Sequence, residues 1–207
     1  MSYQLNRLPR VAVLMPRLFL GRQTSNYRVS RTLFVLTLTL LSECVWSSPV
    51  DFKAQSVRIA MLQEPPSLDS SKATDLVSFF VLGHTTEGLL RYDRRGRLVA
   101  GVAESWDVTP TTLTFRLRPD ARWHDGSKVT AADFVYAWQK VNDPAVAAPF
   151  AAIMYPIKNA EAIQNGELPV TALGVSSPSE GTLVVELGRP CGYCLGLMAH
   201  ATFYPVN

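Results

Sequence analysis

The stretch TLTFRLRPDARWHDGSKVTAADFVYAWQK, residues 112–140, has the most regular patterning in this chain of 207 residues. Its first six residues alternate polar and apolar side chains, the period of a half-buried strand, and Leu113 and Phe115 fall on the same face. Asp125-Gly126 then predicts a tight turn, because glycine adopts a positive φ at no steric cost. The first half of the stretch is therefore predicted to be a strand followed by a turn.

The second half of the stretch predicts an amphipathic helix. Thr130 precedes Asp133 by three residues, the spacing of a capping box, in which each side chain satisfies a free backbone N–H at the helix start. Phe134, Trp138 and Val141 follow at positions i, i+4 and i+7 and form one apolar stripe. We therefore expect Trp138 to pack in the core, and the alternative is a place on an aromatic surface that binds a ligand.

Shorter patterns predict three further strand regions. Apolar alternation predicts strands at residues 57–62 and 182–187, and residues 89–99 are expected to form a strand, a turn and a second strand. Helices are predicted to begin at Asp75 and over residues 158–165. Strands and helices mix without a repeated βαβ period, so the predicted fold class is α+β or mixed α/β.

The helix that begins at Asp75 has its own apolar pattern. Leu76, Phe79, Phe80 and Gly83 fall at positions i, i+3, i+4 and i+7, which marks the apolar face of an amphipathic helix. Gly88 is the expected end of this helix, because glycine commonly follows the last helical residue.

The N-terminal part of the chain differs from the rest in charge. Residues 1–50 carry six arginines and one acid, whereas residues 51–207 carry 14 basic and 16 acidic side chains, a balance that does not favour nucleic-acid binding. Residues 32–41 form an uncharged, mostly apolar run of ten, half of the roughly 20 that a membrane span needs. We predict an export signal and leader over residues 1–47, and a lipid-anchored Cys44 or a retained anchor remain the alternatives.

Residues with known catalytic or metal-binding chemistry are few. Cys191 and Cys194 form a CGYC pair, which in an exported protein can be a local disulfide, although the same spacing occurs in thiol-redox motifs. The three histidines are scattered, so no metal site is predicted. No serine-histidine-acid set, P-loop or dinucleotide-binding glycine pattern is present, so we predict no catalytic residues and no cofactor.

The order of the segments carries more information than any one of them. PSLD, EGLLRYD, GVAESWDV, the 112–140 stretch, DP and TLVVEL follow one another as in the N-terminal part of the family 5 extracytoplasmic solute-binding proteins, which this chain resembles from about residue 57 to 207. These are the oligopeptide- and dipeptide-binding receptors of ABC importers. The resemblance implies part of a clamp of the periplasmic-binding-protein type II kind. Residues 48–87 would begin the ligand-binding lobe, and residues 88–207 would form a smaller second domain that serves as scaffold.

The resemblance also implies a site and partners. Thr74, Asp75 and Leu76 correspond to a segment laid along the bound peptide, and Phe150 corresponds to a tyrosine near the ligand in some relatives. Thr74 replaces an acidic residue that in some peptide binders meets the ligand's amino terminus, and Asp75 can substitute only if the register shifts. The implied partners are an oligopeptide or dipeptide and the membrane permease of an ABC importer. The implied location is periplasmic or extracytoplasmic.

A further departure from the family, in chain length, bears on function. Its members are much longer, so the resemblance implies an incomplete receptor without a third lobe, and the expected peptide affinity is millimolar at best. The alternatives are a structural or interaction module without ligand binding and a thiol-redox protein that uses Cys191 and Cys194. The second alternative is disfavoured because no βαβ unit of the thioredoxin kind precedes the pair.

Overall fold

The computed structural model of the chain describes residues 50–206 and divides it into two compact units, Met1–Ile59 and Ala60–Asn207. Of the first unit, residues 50–59 are described, and there β1 (Val50–Asp51) pairs antiparallel with β2 (Ser56–Val57). The predicted export signal lies outside the described residues.

The predicted strand at residues 57–62 is wrong beyond Val57. The five residues that follow form no strand and are exposed. Apolar alternation favours a strand only where a neighbouring strand supplies hydrogen bonds, and within the described chain none pairs with residues 58–62.

A four-stranded antiparallel sheet forms the centre of the second unit. Its order is β5-β6-β8-β7, with β5 at Ala103–Val108, β6 at Thr112–Leu117, β7 at Val175–Ser179 and β8 at Thr182–Glu186. The two inner strands, β6 and β8, confirm the predictions from sequence. Both outer strands, β5 and β7, contain a register shift and bury only their first residue, so neither shows the alternation from which a strand is predicted.

Helix α2, Ala131–Asn142, packs on strands β7 and β8. Phe134, Trp138 and Val141 are buried, as the periodicity predicts. The indole N–H of Trp138 donates to the carbonyl oxygen of Phe203 at 3.0 Å. Trp138 is therefore a core residue, and the alternative of an aromatic ligand surface at this position is wrong.

The turn and the cap before α2 form as predicted. Gly126 has a φ of 88°, and the backbone N–H of Ser127 donates to Asp125 Oδ1 at 2.8 Å. The backbone N–H of Thr130 donates to Asp133 Oδ2 at 2.7 Å. These bonds place α2 directly after the turn.

The helix predicted to begin at Asp75 is α1, Leu76–Thr85. Ser78 and Leu82 are its buried residues, and much of its apolar face lies at the surface, since Leu76 is 86% exposed and Phe80 is 44% exposed. Ser78 is buried because its hydroxyl bonds within the helix start and also accepts from the backbone N–H of Ser67 at 3.5 Å.

The predicted end of α1 at Gly88 is wrong, since Thr86 already has extended backbone. Glycine is needed at position 88 for a different reason, because a Cβ there would lie 2.7 Å from the ring of Tyr204. The glycine therefore permits a close approach of two chain segments and does not terminate the helix.

The remaining elements complete the second unit. The predicted hairpin is confirmed as β3 (Leu90–Tyr92) paired antiparallel with β4 (Leu98–Ala100). The predicted helix at residues 158–165 is α3 (Ala160–Gln164), and a short helix α4 covers Cys194–Leu197. Single 3-10 turns lie at Ala151–Met154, Val170–Ala172 and Ala201–Phe203. Among residues 50–206, no helix combines the length and apolarity that crossing a membrane requires.

Candidate functional site

The carboxylate of Asp75 caps helix α1. Asp75 Oδ1 accepts from the backbone N–H groups of Val77 and Ser78, at 3.0 and 2.9 Å, and Oδ2 accepts from the Ser78 hydroxyl at 2.7 Å. The hydrogen bonds from the side chain and then the backbone of Ser78 hold the pKa of Asp75 below its usual value. Both oxygens are thus engaged by the residue's own helix, and the carbonyl oxygen of Asp75 accepts from the backbone N–H of Phe79 at 3.1 Å, which leaves the backbone N–H as the part of Asp75 suited to a ligand contact.

Residue 74 has an open backbone. Thr74 is exposed, and its backbone N–H and C=O bond to nothing within residues 50–206. The backbone of Asp75 is extended, with φ −115° and ψ 157°, and the side chain of Leu76 is 86% exposed. An extended segment with free donors and acceptors can pair with an extended peptide in the manner of an added strand.

The turn before Thr74 is anchored to helix α2. The backbone N–H groups of Lys72 and Ala73 both donate to the carbonyl oxygen of Asp69 at 2.9 Å. Lys140 Nζ, on α2, lies 3.0 Å from Asp69 Oδ2. Partial burial opposes ionisation of Asp69, but hydrogen bonds from Ser71 and Lys140 outweigh it, and the pKa of Asp69 is lowered.

Phe150 lies against helix α1 in an aromatic cluster with Phe79 and His200. The ring centroids are 5.9 Å apart for Phe79–Phe150, 5.4 Å for Phe79–His200 and 5.7 Å for Phe150–His200. Lys72 Nζ also donates to the carbonyl oxygen of Val146 at 2.6 Å. The structure therefore brings the loop that carries Phe150 to the segment that carries Thr74.

Two members of the aromatic cluster were not predicted as site residues. From the sequence, Phe79 is expected on the apolar face of an amphipathic helix, and His200 is one of three scattered histidines. Burial lowers the pKa of His200, so its ring is neutral at pH 7, and its Nδ1 accepts from the backbone N–H of Thr202 at 3.2 Å. No local pattern marks His200, because its partners come from distant parts of the chain.

Cys191 and Cys194 form a disulfide, with their Cα atoms 5.5 Å apart. Cys194 is the first residue of α4 and is 1% exposed. Tyr193, between the two cysteines, is 63% exposed. Within the part of the chain that the structure describes, no group of three His, Cys, Asp or Glu side chains is placed to hold a metal ion.

Comparison with known families identifies the protein. The sequence profile of the bacterial extracellular solute-binding proteins, family 5 Middle, matches residues 97–207, more than half of the chain. The chain belongs to family 5 of the bacterial extracellular solute-binding proteins. The resemblance found from the order of its motifs is confirmed, and the mixed helices and sheet of this family 5 chain confirm the predicted α+β class.

Individual relatives of the family 5 chain include two named periplasmic proteins. The periplasmic murein peptide-binding protein MppA of Escherichia coli is 40% identical over 147 residues, which cover 70% of this chain and 27% of the relative. The periplasmic oligopeptide-binding protein OppA of Haemophilus influenzae is 39% identical over 147 residues, which cover 69% of this chain and 27% of the relative.

Solved structures give the same result. The substrate-binding domain of an oligopeptide ABC transporter from Bacillus anthracis is 47% identical with a TM-score of 0.69, and the match covers 70% of this chain and 28% of that chain. The murein tripeptide-binding protein MppA of E. coli is 39% identical with a TM-score of 0.68, over 70% of this chain and 29% of that chain. The family 5 chain thus spans about a quarter of the length of the curated relatives it matches.

Proposed function

We propose that this chain acts in the substrate-binding component of an ABC-type peptide importer, outside the cytoplasm. Its partners are an oligopeptide or dipeptide and the importer's membrane permease. Family membership supports a role in binding solutes, and the two relatives described above are named for binding murein peptides and oligopeptides. The role we propose is binding and delivery, without bond cleavage and without a cofactor.

The observation that carries this proposal is the open backbone at Thr74. The free N–H and C=O groups of Thr74, next to the extended backbone of Asp75, can pair with any peptide whatever its side chains, which suits a receptor that accepts many sequences. Leu76 is 86% exposed, and the half-buried Phe150 contacts Phe79, one helical turn after Leu76, so both side chains offer apolar surface near the α1 start. We propose Thr74, Asp75, Leu76 and Phe150 as ligand-contacting residues on these grounds.

The charges at this surface favour recognition of the peptide backbone over recognition of its amino terminus. The Asp75 carboxylate is occupied by the helix start, and Asp69 is paired with Lys140. Neither carboxylate is free to neutralise a ligand's ammonium group. Each backbone hydrogen bond exposed to water contributes only about 0.5–1.5 kcal/mol, so we expect a dissociation constant near millimolar.

The proposal is tested by NMR titration of the isotopically labelled full chain with trialanine. We expect shift changes centred on the amides of Thr74 and Leu76 and on the ring of Phe150. N-acetyl-trialanine should bind within about twofold of trialanine, because no free carboxylate meets the amine.

Two variants sharpen this test. Phe150→Ala should weaken trialanine binding several-fold, whereas Tyr136→Ala, which removes a side chain that is 57% exposed on α2, should leave it unchanged. Shift changes centred elsewhere, or equal effects of the two variants, would contradict the assignment of these residues.

We further propose that residues 88–207 act as scaffold for the segment 48–87, as the family resemblance implies. The Asp69–Lys140 pair and the aromatic cluster support this, since both tie the site segment to residues beyond 130. Lys140→Met should loosen the 69–73 turn without unfolding α2. We expect the amide hydrogens of Lys72 and Ala73 to exchange faster in this variant than in the wild type, which hydrogen-exchange NMR measures.

A further inference from the structure

The turn between β3 and β4 concentrates positive charge. Residues 91–97 read RYDRRGR, and this heptapeptide contains four arginines and one acid: Arg91, Arg94, Arg95, Arg97 and Asp93. Residues 51–207 as a whole hold 14 basic and 16 acidic side chains. More than a quarter of the basic residues in this net-acidic region therefore lie in a single turn, which we call the arginine turn.

Acidic side chains neutralise only part of the arginine turn. Arg97 Nη2 lies 2.7 Å from Asp93 Oδ2, and Arg91 Nε lies 3.7 Å from Glu87 Oε1. Arg94 and Arg95 are exposed and form no ion pair with any residue between 50 and 206. Two guanidinium groups at the tip are thus available to an external anion.

The backbone of the arginine turn is held in place. Asp93 Oδ1 accepts from the backbone N–H groups of Arg95 and Arg97, at 2.8 and 2.9 Å. The backbone N–H of Gly96 donates to the carbonyl oxygen of Asp93 at 2.9 Å, and Gly96 has a φ of 70°. The tip therefore presents Arg94 and Arg95 from a fixed backbone, which lowers the entropy cost of engaging an anion.

One exposed tyrosine lies within the arginine turn, and a second precedes the helix that the first contacts. Tyr92 is 55% exposed, and its hydroxyl donates to the carbonyl oxygen of Gly196 in α4 at 3.4 Å. Tyr193, which immediately precedes α4, is 63% exposed. Tyrosine combines an apolar ring with a polar hydroxyl and is enriched where proteins meet the water–lipid interface.

We propose that the arginine turn is a docking surface for the phosphate headgroups of anionic phospholipids. A guanidinium group binds phosphate oxygens with two parallel N–H donors, and each basic side chain close to an anionic bilayer strengthens binding about fivefold. The exposed rings of Tyr92 and Tyr193 favour a bilayer over an acidic polypeptide, because tyrosine is enriched at the water–lipid interface. This inference is independent of the peptide-binding function.

Arginine footprinting of the full chain tests this docking surface residue by residue. A glyoxal reagent modifies accessible guanidinium groups, and mass spectrometry reports each arginine separately. Vesicles of phosphatidylglycerol and phosphatidylcholine should reduce modification of Arg94 and Arg95 at least about fivefold, and vesicles of phosphatidylcholine alone should not. High salt should remove the protection, because it screens exposed charges. Arg116, on strand β6, is the internal control and should stay unprotected.

Variants and a second polyanion complete the test. In the wild type, the vesicles should also protect Arg91, which lies in the same turn. The double change Arg94→Gln and Arg95→Gln should abolish this protection, whereas Arg189→Gln, a change of an exposed arginine elsewhere in the chain, should preserve it. The proposal is overturned if vesicles give no protection, if neutral vesicles protect equally, or if Arg116 is protected to the same extent. Protection by soluble polyglutamate without protection by vesicles also overturns it, since the surface would then suit an acidic polypeptide.

Discussion

Trp138 and Phe203 are joined by a hydrogen bond and a ring contact at once. The indole N–H of Trp138 donates to the carbonyl oxygen of Phe203 at 3.0 Å, and the two rings meet edge to face with centroids 5.2 Å apart. Both side chains have no exposed surface. This pair fixes the end of the described chain to helix α2.

Replacing Trp138 should therefore destabilise the second unit strongly. We expect Trp138→Ala to lower the free energy of unfolding by about 3–5 kcal/mol, the range for emptying a large buried aromatic site. Trp138→Phe keeps most of the volume but leaves the Phe203 carbonyl oxygen without its donor, which costs about 1–3 kcal/mol. Urea denaturation measures the free energy of unfolding of both variants. Tyr136→Ala is the control, and its free energy of unfolding should lie within about 0.5 kcal/mol of that of the wild type.

The cap at Asp75 should make stability depend on pH. Asp75→Ala should lower the melting temperature at pH 7. Asp75→Asn should lower it much less, because asparagine also caps helices well. The pKa of Asp75 is lower in the folded than in the unfolded chain, mainly through hydrogen bonds from Ser78. Its stabilising effect is therefore complete above the unfolded pKa of about 3.9 and is lost as the pH falls through the folded value.

Melting curves between neutral and strongly acidic pH test this dependence. The difference in melting temperature between wild type and Asp75→Ala should shrink as the solution becomes more acidic than pH 3.9 or so. A difference that stays constant to the lowest pH would show that the carboxylate charge contributes nothing to the cap.

Three glycines should respond differently to alanine. A Cβ at Gly101 would lie 2.5 Å from the carbonyl oxygen of Gly88, and backbone cannot move aside easily, so Gly101→Ala should cost about 3 kcal/mol or more. A Cβ at Gly88 would meet the Tyr204 ring, and the cost should be about 1–3 kcal/mol. Gly83→Ala, on α1 with nothing within 4 Å, should instead stabilise the chain by about 0.5–1 kcal/mol.

Chemical denaturation of the three glycine variants ranks them directly. The predicted order of stability is Gly83→Ala above wild type, then Gly88→Ala, then Gly101→Ala. A Gly101→Ala protein as stable as wild type would show that the approach of residues 88 and 101 is looser than the structure describes.

The Cys191–Cys194 disulfide should have a modest structural role. It closes a loop with a sequence separation of three, so loss of loop entropy in the unfolded chain gives about 2 kcal/mol of stabilisation. We expect the double variant Cys191→Ala and Cys194→Ala to lose about this amount of unfolding free energy. In an insulin reduction assay, we expect the wild type to show no turnover. Turnover that the double variant abolishes would instead indicate a thiol-redox function.

The parts of the fold that could be predicted from sequence are those with local reasons. Strand β6 and helix α2 have unbroken periodicity, and the turn at Gly126 and the cap at Asp133 require particular residues at fixed spacing. The buried face of α1 could not be predicted, because Ser78 is buried by hydrogen bonds to Asp75 and Ser67 and not by apolarity.

The candidate site, too, contains residues that could be predicted from the sequence and residues that could not. The segment at Thr74 was predicted through a family resemblance carried by an ordered set of motifs, and Phe150 through its place after the DP pair. Phe79 and His200 could not be added, because their contact depends on tertiary packing that has no local signature. The four arginines of the arginine turn are evident in the sequence, but which of them have an acidic partner depends on the tertiary structure.

The register shifts in the two outer strands bear on self-association. An exposed strand edge is a template on which a second chain can add, and repeated addition leads to aggregates. Strand β5 is irregular between Ala103 and Ser105, strand β7 between Ser176 and Ser179, and Pro178 within β7 has no N–H to donate. Bulges twist an edge away from regular pairing. Both edges of this four-stranded sheet are thus poor templates, and the sheet is protected against the edge-to-edge growth that precedes amyloid.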